Sequence, residues 1–264
     1  MTISVSENGN KTAALAMTHL FRILFCLAAG LAAKDSAISQ DIDQTIFLHA
    51  GQPVKLQGTY HVFQPVPTVV DTPVFDLKYR ELGQVNLPAD SLSPLFTLGT
   101  QYLVPAHYLQ RTNLIPTPPH RVIRNCYQVV ITRDTGHVGH LQEMLNVPFV
   151  MPPRIQGPYG HQTDNRVAVD CAAMAIYARR RSGHQIPYVG PTNIDAYLQP
   201  ADSLFPGVIL HFGHQVSSLY RDNGQQGVLD ADDLLIHAYK GCARIERLGD
   251  TDLKPEKARI LWWK

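Results

Sequence analysis

Hydrophobic and polar positions change rhythm twice along this chain. Residues 21–33 form a nearly unbroken apolar run, FRILFCLAAGLAA. That run is shorter than the roughly 20 residues needed to cross a bilayer. From 45 to 133 short apolar segments are interrupted by prolines. Proline cannot donate to a sheet ladder, so the segments between prolines read as strands. The pattern predicts strands at Thr45–His49, Val54–Phe63, Val69–Leu77 and Tyr127–Thr132. After Gly136 the period lengthens. Residues 137–146 place Leu141, Met144 and Leu145 on one face and predict a short helix. A longer helix is predicted over Asp170–Arg181, where Cys171, Met174, Ala175 and Ala178 share a face. Three arginines complement its C-terminal end, and Gly183 stops it. Strands are predicted again at Gly207–Tyr220, Leu234–Tyr239, Cys242–Leu248 and Arg259–Trp263. A helix followed by antiparallel strands indicates an α+β class. The chain then divides into a leader (1–33), a β-rich N-terminal module (34–135) and an α+β domain (136–264).

The apolar run has the layout of a secretory signal peptide. His19 and Arg22 stand near its start, small residues close it, and a polar stretch from Lys34 to Gln44 follows. Cleavage after Ala32 or Ala33 fits, and Met17 offers an internal start. The expected mature chain lies outside the cytoplasm, with no membrane span. Composition agrees with a globular chain of low charge. Of 264 residues 45% are hydrophobic and 17% charged, with a net charge of +1. Near-neutrality argues against a nucleic-acid partner, which needs clustered Lys and Arg. Cys26, Cys126, Cys171 and Cys242 are too scattered for a disulfide framework or a zinc site.

Candidate chemistry centres on Cys171. It opens the predicted helix directly after Asp170, where a helix N-terminus favours a thiolate. His214 and His237 lie on following strands, one to take the thiol proton and the other to orient it. The same cysteine also fits a small core hydrophobe. His211 is expected on the opposite sheet face from His214, as a surface histidine. His161, in the loop before Cys171, suits either substrate contact or loop stabilisation. His137 and His140 form an H-x-x-H without a third ligand at matching spacing, and Asp230, Asp232 and Asp233 read as a solvated turn. Trp262 and Trp263 are expected to close the core. Neither a metal nor a cofactor is expected.

Several short motifs occur in an order that resembles the NlpC-like cell-wall peptidases of the papain superfamily. Asp170-Cys171-Ala172-Ala173 stands for Asp-Cys-Ser-Gly, and Pro206-Gly207-Val208-Ile209 for the Pro-Gly-Asp-Leu turn. His214-Gln215-Val216 stands for the His-Val-Gly strand, and Ile236-His237-Ala238 matches an Ile-His-Ala strand. Pro158-Tyr159 is similar to a pair that lines the family's pocket. The resemblance covers residues 157–183 and 203–245. It implies a papain-like fold for the C-terminal half and a bacterial, periplasmic or secreted setting. It also implies amide hydrolysis in peptidoglycan stem peptides, with Cys171 as nucleophile, His214 as base, His237 as third polar residue and Tyr159 near substrate. Ala172, Ala173 and Val208 depart from the pattern, and Arg221–Asp233 lengthens the hairpin between the histidines. An oxidising compartment leaves Cys126 and Cys242 as an expected disulfide pair. The alternative function is a periplasmic binding or scaffold protein that keeps the fold with little or no catalysis.

Overall fold

The computed structural model describes residues 45–67, 79–107, 126–155, 157 and 160–264. The leader, the strand expected at Val69–Leu77 and the Pro158–Tyr159 pair lie outside the described residues. The first sheet contains β1 (Thr45–His49), β2 (Gly58–Pro65), β3 (Tyr79–Leu87), β4 (Gly99–Pro105) and β5 (Tyr127–Thr132) in the order β1-β5-β4-β2-β3. β1 runs parallel to β5, and the other pairs are antiparallel. The second expected strand begins four residues later than the apolar pattern suggested. Val54 is buried in this sheet's core, yet its backbone bonds to Ser91 in a loop. A buried apolar residue outside a strand thus imitates one.

Two strands carry little sequence signal. β4 is buried throughout, so its residues do not alternate. Its polar side chains are satisfied internally: Thr100 Oγ1 donates to the Glu143 carbonyl at 2.7 Å and Gln101 Nε2 to the Leu95 carbonyl at 2.8 Å. β3 is interrupted by Gly83 opposite a register shift in β2.

Two helices follow, α1 (Gly136–Gln142) and α2 (Cys171–Arg181). The second sheet contains β6 (Leu198–Pro200), β7 (Ile209–His211), β8 (Val216–Arg221), β9 (Leu234–Tyr239), β10 (Cys242–Arg247) and β11 (Arg259–Trp263). Its order is β10-β9-β8-β7-β11-β6, with antiparallel pairs throughout. The single strand expected over Gly207–Tyr220 is instead β7 and β8, separated by a turn. Gly213 sits in that turn at φ +84°, a left-handed conformation that breaks a strand. The architecture is therefore α+β, with two antiparallel-rich sheets.

α2 packs on β8 and β9, while α1 touches α2, β5 and β9 and so joins the two sheets. The two sheets belong to one compact unit, residues 44–264. α2 is not a one-faced amphipathic helix: Cys171 through Ala178 are all buried. Four alanines among these residues keep the helix thin enough to approach the sheet closely. Among the described residues, no helix is long and apolar enough to cross a membrane.

Alternation assigns the two faces of the second sheet. Ile209, Val216, Ile236, Ala238 and Ala243 pack with α2 residues. Leu210, Leu219 and Leu235 pack together in a separate cluster on the far side. Odd and even positions on β7, β8 and β9 therefore belong to different environments.

Candidate functional site around Cys171

Asp170 caps α2, its carboxylate accepting the Ala173 N–H at 2.7 Å. This cap fixes Cys171 as the first helical residue, inside a cluster with Ala172, Ile176, Ile209 and Val216. Cys171 Sγ donates to the His214 carbonyl oxygen at 4.0 Å, across 43 residues of sequence. The fold thus brings the Cys171 thiol to the His214 backbone, at the turn between β7 and β8.

The thiol is not activated at rest. Burial first, and the neighbouring Asp170 charge second, push the Cys171 thiol up to about 12. Backbone N–H groups of Val216, Ala172 and Cys171 pull the other way but are outweighed. The lowering expected from a helix N-terminus is therefore overturned. An exposed helix end contributes about 0.3–1 kcal/mol, less than a thiolate loses when water is removed.

Asp170 itself makes stability depend on pH. Burial raises its carboxyl to about 6, against the lowering hydrogen bonds from Ala173 and Ala172. The folded state then prefers the protonated acid. That contribution is fully present below the ordinary carboxylate range and is lost as pH rises through about 6. Asp170→Asn removes the dependence. Urea unfolding is expected to move in favour of the variant by up to about 3 kcal/mol between acidic and neutral pH. Parallel stability profiles for the two proteins would contradict this.

The three expected catalytic side chains are placed differently. His214 lies in the turn rather than on a strand, and it is exposed. His237 is on β9 between Ile236 and Ala238, which face α2, so its ring points to the far face. There it is 1% exposed. His237 Nε2 meets Glu246 Oε1 at 2.6 Å, and Nδ1 meets Ser217 Oγ at 3.0 Å and Gln215 Nε2 at 3.3 Å. Arg244 Nε adds a 2.9 Å bond to Glu246. Burial alone would raise the Glu246 carboxyl, but His237 and Arg244 hold it down at about 2. His237 is thus engaged in a separate polar cluster on the side of the sheet away from Cys171. Gln215 and Ser217, two residues apart at the start of β8, are the sequence signal that would have found this cluster.

His237→Ala is accordingly expected to lower unfolding stability by about 1–3 kcal/mol, through unsatisfied Ser217 and Glu246. It should leave the alkylation rate of Cys171 unchanged, measured by peptide mapping. A parallel fall in that rate would return His237 to the thiol's side.

His211 is the reverse case. It is buried, and it shares strand parity with Ile209, which packs beside Cys171. The expected surface histidine therefore faces the helix side of the sheet. Its neighbours are Pro191, Arg259, Asp195 and Gly213.

His161 serves its loop. Its ring stacks on Tyr188 at 3.8 Å between centroids, and Nδ1 accepts the Thr163 N–H at 3.2 Å. Tyr188 in turn donates to Asp164 Oδ1 at 2.6 Å. The expected disulfide is not formed, and Cys126 and Cys242 are free thiols. Cys126 is packed with Phe63, Tyr79 and Tyr102, whereas Cys242 opens β10 beside Pro148. Burial pushes both thiols up, Cys126 to about 12.

The remaining candidates also have structural occupations. His137 lies edge-on to Trp262 at 5.1 Å, while His140 Nδ1 meets Glu143 Oε1 at 2.8 Å, so the H-x-x-H pair diverges. Asp233 is fully buried and accepts the Asn223 and Asp230 N–H groups at 2.9 Å each, so this turn is not merely solvated. Trp263 is buried in the core, and Trp262 lies against Phe205. Compared with known proteins, the chain matches no family model, no curated protein and no solved structure.

Proposed function

We propose that this protein is a cysteine hydrolase acting outside the cytoplasm on an amide bond of bacterial cell-wall peptides, with a papain-like, NlpC-type catalytic half. One observation carries the reading: a cysteine opens a buried helix with its sulfur against the segment that carries His214. An α+β arrangement with the cysteine helix laid on an antiparallel sheet supports it. The motif order around Cys171, His214 and His237 points to the substrate class.

In this reading the His214 imidazole turns inward from its exposed position and takes the Cys171 proton. Sγ attacks the substrate carbonyl carbon, and the oxyanion is received by backbone N–H groups at the start of α2. The C–N bond breaks as His214 returns its proton to the leaving amine. Water, deprotonated by His214, then attacks the thioester, releasing the acid and restoring the thiol. Because Cys171 is only 4% exposed, substrate must part the side chains that cover it. His237 has a supporting role, through the sheet, and does not orient His214 directly.

A second reading, a binding or scaffold protein of the same fold, is favoured by the buried thiol raised to about 12. Purified peptidoglycan and synthetic stem peptides incubated with wild type and Cys171→Ala separate the two. Mass spectrometry is expected to find amide-cleaved fragments only with wild type. Equal absence of fragments across stem-peptide variants would favour the binding reading.

A further inference from the structure

We infer that His211 is the positioning residue of this site: through Gly213 it sets the turn that presents His214 to Cys171. The inference rests on the hydrolase reading for its functional consequence, but its geometry stands independently. His211 ends β7, and its ring lies 2% exposed on the α2 side of the sheet.

The neighbours dictate what each ring nitrogen does. Arg259 Nη2 lies 2.8 Å from Nδ1, and the Gly213 backbone N–H reaches the same atom at 3.3 Å. Both partners only donate, so Nδ1 acts as the acceptor. Nε2 lies 2.8 Å from the Pro191 carbonyl, which only accepts, so Nε2 is the donor. Arg259 stands opposite His211 in the β7–β11 register, and its Nη2 also contacts both Asp195 carboxylate oxygens at 2.8 and 2.6 Å. The ring is therefore fixed from two sides before it meets the turn.

The turn depends on that fixed ring. Phe212 N–H bonds to the Gln215 carbonyl at 2.8 Å, and His214 N–H to the Phe212 carbonyl at 3.1 Å. Gly213 is exposed, and the ring's bond to its N–H is an anchor from the buried side. His214 is the next residue, and its carbonyl receives the Cys171 thiol. A continuous path thus runs from Asp195 through Arg259, His211 and Gly213 to His214 and Cys171. Displacing a reacting group by about 1 Å typically costs about a hundredfold in rate.

Two substitutions separate the ring's two bonds. His211→Asn keeps an acceptor near the Nδ1 position but gives nothing to Pro191. His211→Gln keeps a donor near the Nε2 position and loses the acceptor for Gly213. Hydrogen exchange at Gly213 is read by NMR, and stem-peptide hydrolysis gives kcat. Thermal unfolding of both variants controls for general damage. Expected is at least a tenfold rise in Gly213 exchange and a fall of about tenfold or more in kcat for His211→Gln. His211→Asn should stay within about threefold of wild type in both. Unchanged Gly213 exchange in His211→Gln, or equal damage by both variants, would overturn the inference. If wild type shows no hydrolysis, the hydrolase reading fails, and Gly213 exchange alone decides whether His211 holds the turn.

Discussion

Glu143→Ala is expected to lower the unfolding free energy by about 3–5 kcal/mol, among the largest single-residue effects on this fold. Glu143 follows α1 and its side chain is 5% exposed. It accepts hydrogen bonds from Tyr177 Oη and, at 2.8 Å, from His140 Nδ1. Arg181 Nε lies 3.3 Å away, and Arg166 Nη1 lies 3.9 Å away while donating to Tyr177 at 2.8 Å. Arg166 continues to Gln128 on β5 at 2.9 Å and to Thr45 on β1 at 3.4 Å. Removing the carboxylate leaves a buried guanidinium without its counter-charge, at the seam between the first sheet and α2. Burial would raise the Glu143 carboxyl, but His140, Tyr177 and Arg181 hold it below the ordinary range. Its contribution is thus present at neutral pH and is lost as pH falls through that lowered value. Chemical denaturation at neutral pH checks the magnitude. A loss under about 1 kcal/mol would show that the cluster is not a structural clasp.

Under the proposed hydrolase function, His214→Ala is expected to reduce kcat for amide hydrolysis by about 100- to 10,000-fold, with unfolding stability nearly unchanged. His214 is exposed, so its substitution should cost little stability and a folding defect would not explain the loss. If the imidazole turns inward to take the thiol proton as proposed, Cys171 alkylation should fall with it. Hydrolysis that persists in His214→Ala would remove the histidine from the mechanism. The contrast with His237→Ala, expected to affect stability but not thiol reactivity, distinguishes the two histidines.

Much of this fold was legible in periodicity. The start of α2 follows from Asp170, whose carboxylate caps the helix, and from the spacing of Cys171, Met174 and Ala178. β5, β9 and β11 follow from short apolar runs with clear ends. β3 and β4 were missed for opposite reasons. β3 is polar at alternate positions and broken by Gly83, while β4 is buried on both faces and holds Thr100 and Gln101 as satisfied polar residues.

The site was legible in part. Sequence located Cys171 at a helix start but set His214 within an expected strand, whereas the fold puts it in the turn before β8, with its backbone against the thiol. It misjudged the rings, because the side a residue faces depends on register. His237 shares the far face with Leu235, and His211 the α2 face with Ile209, which only the pairing of β7, β8 and β9 decides. The thiol's acid strength was misread because a helix end can be recognised in sequence, whereas full burial of all eight residues from Cys171 to Ala178 cannot. Glu143 and Arg166, separated by 23 residues, had no local pattern to join them.

The proposed hydrolysis requires Cys171 to form a covalent acyl intermediate. Its most direct measurement is the intact mass of the chain, quenched in acid during turnover of a purified stem peptide, followed by peptide mapping. Expected is a mass gain equal to the acyl fragment, carried as a thioester on Cys171 and abolished in Cys171→Ala. Peptide cleavage at an undiminished rate by Cys171→Ala, with no adduct on Cys171 in wild type, would contradict it.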